Sequence, residues 1–390
     1  TRLMYSEEQI TSFKNRSTPF YFYDLELFQK TLDHIKVHGL SKGYHVHYAL
    51  KANSHPKILT HVLEAGLSAD CVSGGEVQRA IECGFSPNQI AFAGVGKRDA
   101  EIQLGLKHNI FCFNVESIQE LQVINELAAD FEYDAKVALR INPNVDAKTH
   151  KYITTGLKEN KFGINERDLP EIFNLLPSLT NIKLIGIHFH IGSQIQKIEP
   201  FTKLCSRANE INELFEKKGH NLSVINVGGG FGIDYSDPDR NEIPDFKHFF
   251  GTFEKHIQLK PNQELHFELG RSIVGQTGSL ITRVLYTKSG LEKNFVIIDA
   301  GMTELIRPAL YPAKHEIQII SDYNGRSLEK YDVVGPICES SDLFRSEYEL
   351  PKVQRGDVLA IRSCGAYGEV MKSQYNLRHN IGTVFSDEIK

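Results

Sequence analysis

Gly228-Gly229-Gly230-Phe231-Gly232 follows the apolar run 224–227. Without Cβ atoms, the N–H groups of such a loop can close around an anion, most often a phosphate. A tight turn would use the same residues. The loop is not the dinucleotide fingerprint, because Ile233 holds the third glycine position, and Gly94-Val95-Gly96-Lys97 is not a P-loop, because Ala91 stands where its first glycine belongs. Lys51 ends the strand-like run 44–50. A lysine at a strand's C-terminal end can serve as a nucleophilic amine when desolvated, or simply cap the strand at the surface. His188 and His190 lie two apart in one strand-like run and share a face. Two imidazoles could hold a metal, but no third ligand follows at a suitable spacing, so no metal is expected there. Ile191-Gly192-Ser193-Gln194 then sets a hydroxyl at the strand's end.

Further along, Glu268-Leu269-Gly270-Arg271-Ser272 places an acid and a cation three apart. They could form a surface ion pair, or a cofactor contact beside a clamp for a substrate carboxylate. Arg307-Pro308-Ala309-Leu310-Tyr311 offers a second arginine with a phenol. Gly335-Pro336-Ile337-Cys338-Glu339-Ser340-Ser341-Asp342 puts a thiol in a turn-rich polar stretch, an odd place for a core cysteine. Gly365-Ala366-Tyr367-Gly368 is another turn carrying an aromatic.

Elements must position these groups. Strand-like runs recur at 44–50, 67–72, 90–93, 110–115, 135–141, 184–190, 224–227 and 264–268, and helical spacing fills 56–65, 76–83 and 201–218. Ser73-x-x-Glu76 and Ser117-x-x-Glu120 read as capping boxes. A strand followed by a capped helix is the βα unit. Eight such strands predict a closed (β/α)8 TIM-type barrel over 27–275, with an open doubly wound sheet as the alternative. Past about residue 275 the texture changes to strands at 278–287, 294–299, 316–320, 331–334 and 357–362 between Gly, Pro and Asn turns. These predict a β domain of 276–390, joined by 1–26 through the strand-like run 20–24.

Composition narrows the class. The chain has 390 residues, 41% hydrophobic and 24% charged, with a net charge of −5 and no basic block. That excludes a disordered chain and argues against a nucleic-acid platform. There is no run of 18 apolar residues and no apolar signal core at Thr1-Arg2-Leu3-Met4, so neither a membrane span nor export is expected. The six cysteines form no C-x-x-C pair, and scattered thiols suit a reducing cytoplasm.

In this order, Tyr48-Ala49-Leu50-Lys51-Ala52-Asn53, His188-x-His190-Ile191-Gly192-Ser193, residues 228–232, Glu268-x-Gly270-Arg271, residues 335–342 and Gly365-Ala366-Tyr367 resemble the bacterial diaminopimelate decarboxylases. The likeness runs from about residue 20 to 385. It implies an alanine-racemase-like (fold type III) barrel plus a β domain, with pyridoxal 5'-phosphate as cofactor. It also implies decarboxylation of meso-2,6-diaminopimelate to L-lysine and carbon dioxide, the last step of lysine biosynthesis.

By the same resemblance, Lys51 would hold the cofactor covalently through its amine. Glu268 would keep the pyridine nitrogen protonated, and His190 would stack on the ring. Ser193, Gly229, Gly230, Gly270 and the backbone up to Arg271 would hold the phosphate, with Tyr367 helping. Cys338 would return a proton after carbon dioxide leaves, from a loop that this family supplies across a homodimer. Arg271, Arg307, Tyr311 and Tyr367 suit the substrate's far carboxylate, and Glu339 its far amine. Leu269 stands where the family usually has proline, which removes only a fixed φ. The alternatives are a decarboxylase for ornithine, arginine or carboxynorspermidine, whose substrates lack a far carboxylate; an amino-acid racemase on the same fold; and a non-catalytic relative acting by heterodimer formation.

Overall fold

The computed structural model describes residues 4–147 and 161–389. They form two compact units. One comprises Leu32–Gly232 and Asp245–Gly270, the other Thr1–Thr31, Ile233–Pro244 and Arg271–Lys390. No helix among the described residues is long and apolar enough to cross a membrane.

The chain opens with α1 (Glu7–Asn15), β1 (Phe20–Tyr23) and α2 (Leu25–His38). The first unit then builds a closed barrel of eight parallel strands: β2 (His45–Ala49), β3 (Ser68–Cys71), β4 (Ile90–Phe92), β5 (Cys112–Val115), β6 (Ala135–Arg140), β7 (Ile182–His188), β8 (Val224–Asn226) and β9 (Glu264–Leu269). Each expected run supplies one strand. The seam closes where β9 pairs with β2, His45 opposite His266 and His47 opposite Glu268. That closure rules out the open sheet. Helices α3 (Pro56–Glu64), α4 (Gly74–Glu82), α5 (Asp99–Lys107), α6 (Ile118–Ala128), α7 (Leu169–Leu175), α8 (Glu199–Lys217) and α9 (Phe246–His256) lie between strands.

The caps differ from the expected boxes in one detail. Ser73 and Ser117 do accept from the Glu76 and Glu120 amides, each at 3.1 Å. The two glutamates, however, accept from Val72 and Glu116, each at 2.8 Å, one residue upstream of the cap. Those amides lie just past β3 and β5, where ladder hydrogen bonding has stopped and another acceptor is needed.

Alternation along β9 decides what the barrel encloses. Phe267 meets Phe249, Phe250 and Phe253 of α9 with ring centroids 4.9–5.7 Å apart, so it faces the helix layer. Glu264, His266 and Glu268 therefore face inward. The outer contacts are apolar, and this side of the interior is polar.

In the second unit, α10 (Arg271–Val274), β10 (Gly278–Ser289), β11 (Asn294–Ile298), α11 (Arg307–Leu310), β12 (Ile317–Ile319), β13 (Leu328–Val334), β14 (Leu343–Pro351), β15 (Val358–Ile361) and β16 (Gly382–Phe385) follow. The mixed sheet runs β12-β15-β10-β11-β13-β14, with β1 against β10 and β16 against β1. The N-terminal run thus belongs to this sheet. Its core packs Tyr5, Phe13, Phe20 and Phe22 against Ile281 and Val358, and the Tyr5 hydroxyl is 2.6 Å from Ser279 Oγ.

Candidate active site

In the barrel unit, the glycine loop follows β8 and is held against the loop after β7. The Ile195 amide donates to the Gly230 carbonyl at 2.8 Å, and the Gly232 amide to Ile195 at 3.0 Å. This fixes the segment carrying His190 and Ser193 beside the glycines. The Gly229 amide donates to His190 Nδ1 at 3.3 Å. Burial, then the Lys51 charge, pushes the His190 pKa well down, so the ring is neutral and its Nδ1 is an acceptor. Gly228 and Gly230 have φ of 69° and 97°. A Cβ on Gly228 would collide with the Phe189 carbonyl, and one on Gly229 with the Glu268 carbonyl. The Gly230 amide takes no hydrogen bond among the described residues. Such a bare, crowded backbone is what a phosphate cradle requires.

Lys51 lies just past β2 and is exposed. Its charge acts on Asp70, Glu76, Glu268 and His190. Glu268 is buried, and its Oε1 meets His188 Nε2. Burial, then Arg140, brings His188 down to about 3, so a neutral imidazole donates to Glu268. His188 Nδ1 has no partner, as a bare lone pair allows. Burial raises the Glu268 pKa, while a hydrogen bond from Asp70 and the Lys51 charge pull it back. Burial and the Glu268 charge hold Asp70 well above the carboxylate range. Asp70 is therefore the partner that holds the proton and donates it to Glu268. Behind them, Arg140 pairs with Glu116, both buried. His188 and His190 thus have separate partners, the first an acid and the second a backbone amide. Leu269 is the fully buried last residue of β9, opposite Tyr48, and Gly270 follows it.

In the sheet unit, Arg271 and Arg307 are both buried. Arg271 donates to the Tyr235 hydroxyl and sits 4.8 Å over the Tyr367 ring. Arg307 sits 5.2 Å over Tyr235 and 5.7 Å over Tyr311. Its Nε donates to His315 Nε2 at 3.3 Å, and His315 Nδ1 donates to the Arg362 carbonyl at 2.9 Å. Burial, then Arg307, lowers His315 to about 3, so the ring stays neutral and can accept. Burial also lowers Arg307. Among the described residues no carboxylate pairs with Arg307.

The Cys338 loop is stapled by buried Asp342, which accepts from the Met302 and Ile337 amides at 2.6 and 2.8 Å. Cys338 and Glu339 stand exposed at its tip. The Cys338 amide donates to Asn376 Oδ1 at 3.0 Å, and Tyr375 donates to Glu339 at 2.6 Å.

The barrel thus brings together Lys51, His190, Ser193, Gly229, Gly230 and Glu268, and the sheet unit Arg271, Arg307, Tyr311 and Tyr367. Asp70, Tyr235 and His315 went unread in the sequence. A carboxylate inside the apolar run Leu67-Ser68-Ala69-Asp70-Cys71 was the available signal for the first.

A parallel barrel with a phosphate-type cradle, a lysine and a buried acid defines a class, and the comparisons place the chain within it. Residues 28–275 match the family model described as pyridoxal-dependent decarboxylase, pyridoxal binding domain. A diaminopimelate decarboxylase of Bacteroides thetaiotaomicron is 54% identical over 97% of this chain and 98% of its own. One from Helicobacter pylori is 42% identical over 96% and 91%. The crystal structure of the Helicobacter pylori enzyme complexed with L-lysine superposes with a TM-score of 0.90, at 41% identity over 97% of this chain and 94% of that one. The chain belongs to the diaminopimelate decarboxylases, within the pyridoxal-dependent decarboxylases.

The cofactor of that class is pyridoxal 5'-phosphate, and the residues here fit it. The Gly228–Gly230 backbone has no room for a Cβ at the cradle, and Glu268 is a buried acid supplied with donors.

Proposed function

We propose that this chain decarboxylates meso-2,6-diaminopimelate to L-lysine and carbon dioxide, the last step of lysine biosynthesis, as a pyridoxal-phosphate-dependent carboxy-lyase. The observation that carries the substrate choice is Arg307, a buried guanidinium with no carboxylate partner among the described residues. A buried cation without an anion is costly, and a far carboxylate supplies the missing charge. Ornithine and arginine have none to offer.

When bound, pyridoxal phosphate supplies an electron sink for the pair left by the departing carboxylate. Lys51 would anchor it through the amine, His190 would stack on the ring, and Ser193, Gly229, Gly230 and Gly270 would hold the phosphate. Glu268 would face the ring nitrogen and keep it protonated. Arg271, Arg307, Tyr311 and Tyr367 orient the substrate, which sets the bond to be broken. Glu339 takes the far amine. Cys338 Sγ–H gives its proton to the carbon that lost carbon dioxide. We assign the exposed Cys338 loop to a neighbouring subunit's site, so the active form is a homodimer, and the free thiols fit work in the cytoplasm.

The test is direct. Protein loaded with cofactor and given meso-diaminopimelate should release carbon dioxide and lysine in equal amounts, and Lys51→Ala should release neither. Absence of both products from the parent protein overturns the reading, and faster turnover of ornithine or arginine replaces it with the related activity. Mixing inactive Lys51→Ala and Cys338→Ala subunits should restore activity if sites are shared. A mixture that stays dead refutes the shared site.

A further inference from the structure

The far end of the barrel carries a cluster that the reaction does not use. His45 is the first residue of β2 and Glu264 the first of β9, whereas Lys51 follows the other end of β2. Strand register sets His45 opposite His266, and Glu264 lies two residues before His266 on the same inward face. His45 Nε2 is 3.5 Å and His266 Nε2 3.3 Å from Glu264 Oε2. All three ligand atoms lie within 4.8 Å of one another. A tetrahedral zinc ion bound at about 2.0–2.1 Å sets its donors about 3.3 Å apart, close to two of these separations.

The two imidazoles are packed in place before any ion arrives. The His45 and His266 rings stack at 4.5 Å and 13°, and Phe111 stacks on His266 at 5.2 Å and 8°. His266 Nδ1 is 2.9 Å from His47 Nε2. A proton on that Nδ1 donates to His47 and leaves Nε2 bare toward Glu264, the arrangement a ligating histidine needs. The His45 and Glu264 side chains are 45% and 55% exposed, so an ion can enter and a water can complete its coordination.

We propose that His45, Glu264 and His266 form a site for a divalent transition metal of the zinc type, with His47 as the positioning residue behind His266. Two imidazoles and one carboxylate favour such an ion over magnesium or calcium, which prefer all-oxygen shells. The ion joins β2 to β9, the seam at which the barrel closes, so its effect is on barrel stability rather than on the decarboxylation.

The experiment uses the holoenzyme stripped with a chelator and titrated with Zn2+ by calorimetry and with Co2+ by visible absorption. The expected result is a saturable site per chain that gives tetrahedral cobalt bands, and a melting temperature that rises with zinc. Both His45→Ala and Glu264→Gln should abolish the bands and the thermal shift while leaving carbon dioxide release at the parent rate. His47→Phe should weaken binding by about 10–100-fold. Binding that persists unchanged in His45→Ala places the ion elsewhere and overturns the proposal, as does the absence of saturable binding in the parent. A Cys338→Ser background, used for binding alone, removes the exposed thiol as a competitor.

Discussion

Replacing Arg307 with methionine separates the binding of a far carboxylate from the stability of the fold. Methionine reproduces the apolar stem of the side chain as far as Nε and removes the guanidinium carbon that lies beside the Tyr235 and Tyr311 rings, a space open to water once the charge is gone. Inside the protein the guanidinium makes a 3.3 Å hydrogen bond to His315, worth about 1.5–3 kcal/mol for a charged donor. Burial, however, already disfavours the charge, and removing it offsets much of that loss, so stability should change by no more than about 2 kcal/mol. Substrate binding has no such offset. Losing the cation opposite a buried carboxylate costs about 3 kcal/mol or more, roughly a hundredfold in kcat/KM.

Two inhibitors turn this into a discriminating assay. L-Lysine retains the far carboxylate after the reaction, whereas 1,5-diaminopentane has no carboxylate. Arg307→Met should weaken diaminopimelate and L-lysine together by about a hundredfold, and shift the diamine by less than about threefold. Equal weakening of all three ligands would show general damage instead. An unchanged kcat/KM for diaminopimelate would remove Arg307 from the site and, with it, the argument for this substrate over ornithine or arginine.

Acid should unfold the protein early. Burial holds His188 and His315 near 3 against an ordinary 6.5, so below pH 6.5 the unfolded chain binds protons that the folded chain refuses. Stability is fully present above 6.5 and falls toward pH 3, by about 2 kcal/mol per histidine at pH 5; equal urea midpoints at pH 7.5 and 5 would contradict this. Asp70→Asn keeps a donor for Glu268 and should stay within about fivefold of the parent kcat, while Asp70→Ala should lose roughly 10–30-fold. The reverse order in steady-state kinetics would show that the Asp70 proton is not what matters. Gly229→Ala drives a Cβ into the Glu268 carbonyl and should empty the purified protein of cofactor, read from its visible absorbance; full cofactor content would refute the cradle.

The barrel strands were legible because each is a short apolar run, and two of the helices, α4 and α6, because their starts are written in Ser-x-x-Glu. What escaped has a physical reason. β14 (Leu343–Pro351) is interrupted by two register shifts against β13, and Glu347 within it has a φ of 49°, so no apolar alternation runs through it. β16 has four residues and acquires its strand character by pairing with β1. Lys51, His190, the glycine loop and Glu268 stand where polar or glycine residues interrupt apolar runs, and that contrast is visible without a structure. Asp70 and the His47–His266 pair are hidden by the reverse pattern. In His45-Val46-His47-Tyr48 the apolar members face the helices and the polar ones the interior, so an ordinary reading assigns the histidines to solvent. His315 and Tyr235 lie 80 residues apart in sequence, yet their rings meet edge to face at 5.1 Å; no local spacing could join them.

That inverted pattern explains how Glu268 can be an anion where burial favours the neutral acid. Burial pushes its pKa up, and an isolated carboxyl at this depth would hold its proton and have nothing to offer a ring nitrogen but a weak acceptor. Its neighbours change the balance by dividing the protons unequally. His188, with its pKa near 3, contributes a neutral N–H donor rather than a second cation. Asp70, pushed well above the carboxylate range by burial and by Glu268 itself, retains the proton that the pair would otherwise contest. Of the two acids Glu268 is therefore the one that favours the negative charge, and the Lys51 and Arg140 charges pull its pKa down. An apolar barrel interior of the same shape would leave burial alone acting on Glu268, and burial favours the protonated acid, so the polar groups around it are what draw its pKa back down.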